Sequence, residues 1–491
     1  MSYDVAIIGA GADGLAAAAT LAGRGLAVVV LESDPAVGGA VAGQEFHPGF
    51  THQGLLHDVF LPDKVINGLG LRALGVQTRI TPPILAIDGA HAVSVPGDVD
   101  LGPLMSWVGR IARFAAPLAL QPPPEMSVDA SPWPLAKTAM GLKRLGEADM
   151  LELLRIGPMC VEDFLSGYIA DPTARAALES AALVGTWMGP RSPTSTAALL
   201  WRLVHGEVEP VGGGAAVVRA LAEAARIRGV ALLTRTEVSA IAIRGGRAAG
   251  VELSDGSTVL ADAVLSTADP QQTVLELCDP LRVPPDLRDD ADNVRVRGII
   301  ARAWFAVRGP VRFSARPDAT VERAVLHAHP DHLERAFDDA KHRRLPRQPV
   351  LDVRVPSLSD PSLAREGCHV VSVIVHGAAF ALDGGWTEQA RAILLQQVQD
   401  SLVASTTGLD ILGSSLVTPT DLRDRWGLSG GHLAAGEVGL DQLWAMRPSR
   451  RTARYRTGLD GLYLGGPGSH PGTHILGMTG VLAARAVMEG R

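Results

Sequence analysis

Gly9-Ala10-Gly11-Ala12-Asp13-Gly14 stands directly after the apolar run Val5–Ile8, and Glu32 closes a second apolar run, Ala27–Leu31. Between them lies an Ala/Leu-rich stretch of helical pattern, stopped by Gly23 and Gly25. A strand, a glycine turn, a helix and a strand ending in an acid suit one chemistry, the holding of a dinucleotide. Gly9 makes the tight turn, Gly11 lets backbone approach a pyrophosphate, and Gly14 lets helix pack on strand. The helix N-terminus adds about half a positive charge toward the phosphates. Glu32 accepts from both ribose hydroxyls, and its charge repels a 2′-phosphate. A glycine-rich turn of chance spacing would need neither the flanking strands nor the acid.

The next residues separate the dinucleotides. Glu32 is followed by Ser33-Asp34-Pro35-Ala36-Val37-Gly38-Gly39-Ala40. A Gly pair six and seven residues past the ribose acid resembles the FAD-binding families, in which a second loop passes under the pyrophosphate. A plain NAD dehydrogenase needs no such loop, so the expected cofactor is FAD. Gly212-Gly213-Gly214 is the other candidate for a nucleotide turn. It follows Glu207-Val208-Glu209-Pro210, a poor central strand. The better reading returns the chain here to the FAD unit, through a helical stretch over 215–229, strands near 230–233 and 237–243, and a hairpin around Asp255-Gly256.

Three further groups look like chemistry. Near the C-terminus, the short strand Leu462–Leu464 leads into Gly465-Gly466-Pro467-Gly468-Ser469-His470-Pro471-Gly472, and a helix begins at Gly477-Met478-Thr479. This is a second strand, glycine loop and helix N-terminus, another corner for an anion or dipole. His470 is the candidate acid–base group, since imidazole titrates near neutral pH; the alternative is that it only packs the loop. His327-Ala328-His329-Pro330-Asp331-His332 has the spacing of a metal-ligand string, with His369 and His376 downstream. A helix-like LERAFDDAKH follows it, so Asp331 is expected to cap that helix and no metal is assigned. Trp187, Trp201 and Trp304 read as core or pocket wall.

Composition sets the frame around these groups. The chain has 491 residues, room for about three domain-sized units and a large core. With 47% apolar and 20% charged residues and 54 Gly, it reads as a folded chain, neither disordered nor collagen-like. The net charge of −7 and the lack of a basic run argue against nucleic acid as partner. Cys160, Cys278 and Cys368 are far apart and form no C-x-x-C, which fits a reducing, cytoplasmic setting. No targeting segment precedes the first strand, and no apolar run approaches the ~20 residues of a spanning helix. Leu101–Leu120 comes nearest. It reads as a cap or core helix, with a membrane-surface helix and peripheral membrane contact as the alternative. The Pro-rich run Pro117–Pro134 reads as a rigid loop, or as an exposed ligand for a Pro-binding module.

The opening GAGADGLAAAATLAGRG…LES…GG, the middle PVGGGAAVVRALAEAA and the tail TPTDLRDRWGLSGG…RTGLDGLYLGGPGSHPGTHILGMTGVLAARA together resemble the phytoene-desaturase-type flavoproteins. These are FAD amine-oxidase-like folds, and the likeness is greatest to proteins of the pyridine nucleotide-disulfide oxidoreductase domain-containing protein 2 type. The "disulfide" of that name finds no paired Cys here. The resemblance implies an α/β fold with a glutathione-reductase-type FAD-binding Rossmann domain, built from 1–75, 205–275 and 425–491. It also implies an inserted mixed sheet/helix substrate domain from 76–204 and 276–424. FAD would be bound by Gly9, Ala10, Gly11, Asp13, Gly14, Glu32, Ser33, Gly38, Gly39, Ala40, Val238, Gly466, Gly477, Met478 and Thr479. Two departures stand out. Ala40 replaces the Arg that carotenoid desaturases often carry, and Gly472-Thr473-His474-Ile475 fills a stretch that is Gly-rich in relatives.

The implied activity is two-electron oxidation of a hydrophobic small molecule. A hydride passes to flavin N5, a proton leaves the neighbouring atom, and a C=C or C=N bond forms, with dioxygen or a quinone as final acceptor. The flavin carries the hard chemistry, and the protein supplies orientation and a dry pocket. A redox-neutral double-bond isomerase and a non-catalytic, FAD-stabilised interaction protein are the alternatives.

Overall fold

In the computed structural model, which describes residues 2–126, 130–206, 208–472 and 474–491, the strand Ser2–Ile8 runs through the middle of a seven-stranded sheet. Val5, Ala6 and Ile7 have no exposed surface, as a parallel strand covered on both faces requires. This strand pairs in parallel with Val28–Leu31 on one side and Thr258–Ser266 on the other. The sheet runs Val238–Arg244, Arg247–Leu253, Thr258–Ser266, Ser2–Ile8, Val28–Leu31, Ala231–Leu233, and Leu462–Leu464 joins alongside Thr258–Ser266. One cofactor-type sheet is thus assembled from the start, the middle and the end of the chain. The hairpin turns at Asp255-Gly256, and the Gly run at 212–214 opens the helix Gly213–Ile227 rather than a second nucleotide-binding sheet. The fold is the expected α/β Rossmann type.

The helices Ala12–Ala22, Gly213–Ile227 and Met478–Glu489 pack into one apolar cluster on this sheet. Their approach is set by small residues. A Cβ on Gly480 would stand 1.9 Å from the Asp13 carbonyl oxygen, so the first and last helices touch backbone to backbone there.

A second seven-stranded sheet runs Asp410–Val417, Ile300–Arg308, Cys368–His376, Leu351–Arg354, Arg323–Leu326, Ile84–Asp88, His91–Val95. It is antiparallel except where Arg323–Leu326 meets Ile84–Asp88. The alternation of a strand divides its faces. Ala301, Ala303, Phe305 and Val307 pack on Leu394, Val398 and Leu402 of the helix Glu388–Ser405. Ile300, Trp304 and Ala306 pack on Phe50 and Leu55 of the first unit. Arg302 therefore lies on the face turned toward the Rossmann unit. A two-stranded ladder, Thr78–Ile80 with Val208–Pro210, connects the units.

Helices between 102 and 203 cap this assembly. The helix Gly102–Ala119 buries Leu104, Trp107, Val108 and Ile111, spaced three and four apart, so the stretch near Leu101–Leu120 is built into a core. Pro117 lies inside that helix near its end, so the expected rigid loop begins later than the sequence suggests. The helix Trp133–Lys143 buries no residue. Among the described residues, no helix is long and apolar enough to cross a membrane.

Candidate active site

The glycines at the first turn have the conformations and clearances that a pyrophosphate cradle needs. Gly9 has φ +92°, and a Cβ there would stand 2.5 Å from Thr267 Oγ1. A Cβ on Gly14 would strike the Gly9 carbonyl at 2.1 Å. At Gly11 the same direction is open, with no atom within 4 Å. The helix that follows has no side-chain cap, so its first N–H groups are available to an anion. The second loop crosses beside it. The Gly38 amide donates to the Ala10 carbonyl at 2.9 Å, and Gly38 and Gly39 have φ +127° and +51°. The Leu55 amide donates to the Ala40 carbonyl at 2.8 Å.

Glu32 is buried at the end of its strand. Its Oε2 accepts from the Ala10 amide at 2.7 Å and its Oε1 from the Asp34 amide at 3.0 Å, with Ser33 Oγ 3.4 Å away. Oε2 retains an acceptor site, and Oε1 gains one when the Ser33 hydroxyl turns away from its long 3.4 Å contact, so two ribose hydroxyls would find acceptors. Val238 opens the strand Val238–Arg244 at the far edge of the sheet, and just before it the Thr236 amide donates to the Glu32 carbonyl at 2.8 Å. This turn, the open face at Gly11 and the oriented carboxylate fit FAD.

The C-terminal part of the site meets the same turn. A Cβ on Gly466 would stand 2.1 Å from the Thr267 carbonyl, so the last strand lies tightly against the strand ending beside Gly9. Gly477, at φ +72°, starts the helix Met478–Glu489, and Met478 and Thr479 have no exposed surface. Asp13 is turned to this helix, and its Oδ1 accepts from the Gly480 amide at 3.3 Å. Burial raises the Asp13 carboxyl to about 7, against the pull of the Gly480 and Gly477 amides.

His470 is fully buried. Its Nε2 donates to the Leu118 carbonyl at 2.9 Å, and its own carbonyl accepts from Tyr455 Oη at 3.2 Å. Burial lowers the imidazole to about 3. These are the surroundings of a side chain that packs its loop. The adjacent Thr473 lies outside the described residues.

A different set of polar side chains meets between the two units. The loop His52–Asp58 lies on the second glycine loop; a Cβ on Gly54 would fall 2.8 Å from Val41 Cα. From this loop His57 reaches the second sheet. Its Nε2 is 3.0 Å from Ser372 Oγ, and its Nδ1 is 3.3 Å from Asp352 Oδ1, off the line of a good hydrogen bond. Arg302 Nη2 donates to Ser372 Oγ at 2.7 Å, while its Nε and Nη1 are buried without partners. The Ser372 hydrogen is then free for His57 Nε2, which leaves the His57 proton on Nδ1 toward Asp352. Burial, and then the Arg302 charge, lower His57 to about 3 in spite of Asp352. Burial also lowers Arg302, to about 9. Beside them Asp58 pairs with Arg323 at 3.1 Å and with Arg354, and Arg354 pairs with Glu209 at 2.9 Å.

Sequence reasoning missed this cluster. Its signals are charges at inward strand positions: Arg302 within the apolar run 299–307, and Asp352 and Arg354 alternating with Leu351 and Val353.

A cavity of about 290 Å³ opens beside the connecting ladder. Ile84, Val95, Leu101, Leu178, Leu199 and Leu203 form much of its wall. Asp58, Arg202, His205, Arg323 and His474 bring polar groups to it. A chamber of about 20 Å³, lined by His57, Gly185, Ile374 and Ala434, shares Asp58, Arg202 and His474 with this cavity.

The string at 327–332 is engaged elsewhere. His327 contacts Ser401 Oγ and Gln348 Nε2 at 3.0 and 2.9 Å, and His332 Nδ1 contacts the His327 carbonyl at 3.2 Å. The helix cap corrects the sequence reading. Pro330 takes the first helical position, so His329 is the cap and its Nδ1 accepts from the Asp331 amide at 3.2 Å. Asp331 pairs instead with Arg191.

Residues 7–64 match the NAD(P)-binding Rossmann-like domain. The chain is 29% identical to pyridine nucleotide-disulfide oxidoreductase domain-containing protein 2 of Rattus norvegicus, covering 99% of this chain and 93% of that protein. It is 26% identical to a phytoene desaturase of Fusarium fujikuroi, over 59% of this chain and 52% of that one. Among solved structures, cyclohexylamine oxidase from Brevibacterium oxydans superposes with a TM-score of 0.58 at 17% identity, covering 99% of both chains. The flavin containing amine oxidoreductase model matches residues 52–488. The FAD-type cradle and this match over most of the chain make the protein an FAD-dependent oxidoreductase that belongs to the flavin containing amine oxidoreductase family.

Proposed function

We propose that the protein is a dehydrogenase or desaturase of a hydrophobic small molecule, forming a C=C or C=N bond. The carrying observation is the largely apolar cavity that shares Asp58, Arg202 and His474 with the chamber at His57. The phytoene desaturase among the relatives supports an apolar substrate. When bound, FAD supplies the acceptor for a hydride leaving a substrate carbon.

The residues of this chain do the rest. Gly9, Ala10, Gly11, Gly14, Glu32, Ser33, Gly38, Gly39, Ala40 and Val238 hold the nucleotide part, and Gly466, Gly477, Met478 and Thr479 line the far end. Asp13 holds the last helix in place. The cofactor unit comprises 1–75, 205–275 and 425–491, and the substrate unit comprises 76–204 and 276–424. His57, neutral at physiological pH, faces Asp352 through Nδ1 and Ser372 through Nε2, so the substrate proton passes to the Ser372 hydroxyl as that hydroxyl gives its own hydrogen to His57 Nε2. The apolar walls exclude water, and the electrons leave to dioxygen or a quinone.

The test is anaerobic. Small molecules extracted from the purified protein are returned to FAD-loaded enzyme under argon. Bleaching of the flavin with one equivalent of oxidised product is the expected result. Product formed by pre-reduced enzyme without an acceptor would overturn the oxidation, and no bleaching by any extracted compound would overturn the catalytic role.

A further inference from the structure

Arg202 has a different position from the buried cations. It lies on the helix Ser195–Leu203, and its Nη2 donates to the Val184 carbonyl at 3.0 Å. Among the described residues, no carboxylate lies within ion-pair distance of it. Asp58 already serves Arg323 and Arg354, and Asp352 faces His57. Arg202 lines both the apolar cavity and the inner chamber, so it stands at the neck between them.

Its neighbours at the neck carry no negative charge to spare. His474 Nε2 and His205 Nε2 are buried without hydrogen-bond partners. His205 stacks on Phe60 at 5.1 Å and meets Trp201 edge-on at 5.4 Å, which fixes its ring beside the neck. The surrounding partly buried cluster sets Arg79, Arg202, Arg302, Arg323 and Arg354 against Asp58, Glu209, Glu322 and Asp352, one cation in excess. Arg202 is partly exposed, yet a guanidinium partly withdrawn from water without a counter-charge is still costly, and an anion placed on it recovers that cost. The planar fork of Arg suits a carboxylate in particular.

We infer that the substrate is an amphipathic acid, with its carboxylate on Arg202 and its apolar body in the cavity walled by Ile84, Val95, Leu101, Leu178, Leu199 and Leu203. The inference rests on the proposed function for the identity of the site. At about 290 Å³ the cavity lies near the ~300 Å³ lower end of small-molecule sites, which suits a medium-length apolar acid. The carboxylate at the neck places the bonds nearest the head group, rather than the end of the tail, toward His57.

The probe is decanoate, compared with 1-decanol and decylamine, titrated calorimetrically into the FAD-loaded full-length protein. Decanoate is expected to bind at least tenfold more tightly than either analogue. Arg202→Gln should lose at least tenfold of the decanoate affinity while keeping its FAD content and melting temperature, and Arg202→Lys should recover part of it. Equal binding of decanol and decanoate by the unaltered protein overturns the inference without recourse to a variant. So does undiminished decanoate binding by a folded Arg202→Gln. The proposed function fails separately. If decanoate binds through Arg202 but nothing bleaches the flavin, the acid site stands and the oxidation does not. If neutral apolar compounds bleach it and Arg202→Gln leaves their rates unchanged, the oxidation stands and the acid head does not.

Discussion

Asp13 Oδ1 accepts the amide of Gly480 at 3.3 Å, so a carboxylate from the first turn of the first helix caps the last helix of the chain, 467 residues on. The contact joins the two helix N-termini nearest the cofactor cradle. Once ionised, above about pH 7, it also places a negative charge beside the end at which a helix dipole favours one.

This contact has a pH signature. Burial raises the folded Asp13 carboxyl to about 7, whereas an unfolded Asp titrates near ~3.9. The folded protein therefore holds a proton that the unfolded chain has released. Stability attached to that proton is full below about pH 4 and is lost as pH rises toward 7. Asp13→Asn keeps an acceptor oxygen for Gly480 but cannot ionise. Its melting temperature is expected to match the unaltered protein at pH 4–5 and to exceed it above pH 7. Thermal melts of the apo-protein across this range check it; a constant difference between the two would show that Asp13 does not titrate as its burial dictates.

Glu32→Ala is expected to abolish FAD retention. Two hydrogen bonds from ribose hydroxyls to a carboxylate contribute about 1.5–3 kcal/mol each, so affinity should fall by two or more orders of magnitude. The Ala10 and Asp34 amides also lose their acceptor. The ratio of flavin to protein absorbance after purification reports the outcome. A full complement of FAD would place the ribose elsewhere.

The cradle was legible in the sequence because it is local. Gly9 through Gly14 and Glu32 fall within one strand–helix–strand unit, and their spacing alone sets the turn. The return of the chain near 231 and 462 was legible from glycine turns and short apolar runs. The cluster around His57 was not, because its members come from four separate stretches. His57, Arg302, Asp352 and Ser372 meet only once the second sheet has formed, and nothing local to Ser372 marks it. His470 shows the reverse problem. Its place in a glycine loop suggests a reactive residue, but whether an imidazole faces a cleft or a carbonyl such as that of Leu118 depends on a helix 352 residues away. His329 was overlooked as a cap because His is not a usual capping residue; Pro330 at the first helical position leaves it the slot.

Acid should unfold the protein early. Burial lowers His52, His57, His432 and His470 to about 3 and His205 and His376 to about 4. An unfolded His takes up its proton near ~6.5. The stability contributed by these neutral rings is full above that value and is lost as pH falls below it, by up to about 1.4 kcal/mol per pH unit for each ring. The melting temperature is therefore expected to fall steeply between pH 6.5 and 4.5. His52→Phe preserves a flat ring against Trp304, now 4.3 Å from the His52 ring, and should make that fall shallower. An unchanged slope in this variant would mean that His52 takes up a proton in the folded state.

The two candidate imidazoles separate by rate and stability. His57 faces the chamber at the end of the cavity and is held by Ser372 and Asp352; His470 is held against Leu118 inside the loop. His57→Gln is expected to retain FAD and fold normally. It should slow single-turnover flavin reduction by about 10²–10⁴-fold, the usual share of a general base. His470→Ala leaves the Leu118 carbonyl without its donor, at a cost of about 1–3 kcal/mol. It should lower the melting temperature by several degrees and change the reduction rate much less. Because burial holds His57 near 3, the rate of the unaltered enzyme should be flat from pH 5 to 8, with no limb at the ordinary imidazole value. Stopped-flow reduction of the three proteins over that range gives rate and pH profile together. A normal rate in FAD-replete His57→Gln, with a large loss in folded His470→Ala, would move the proton transfer back to the C-terminal loop.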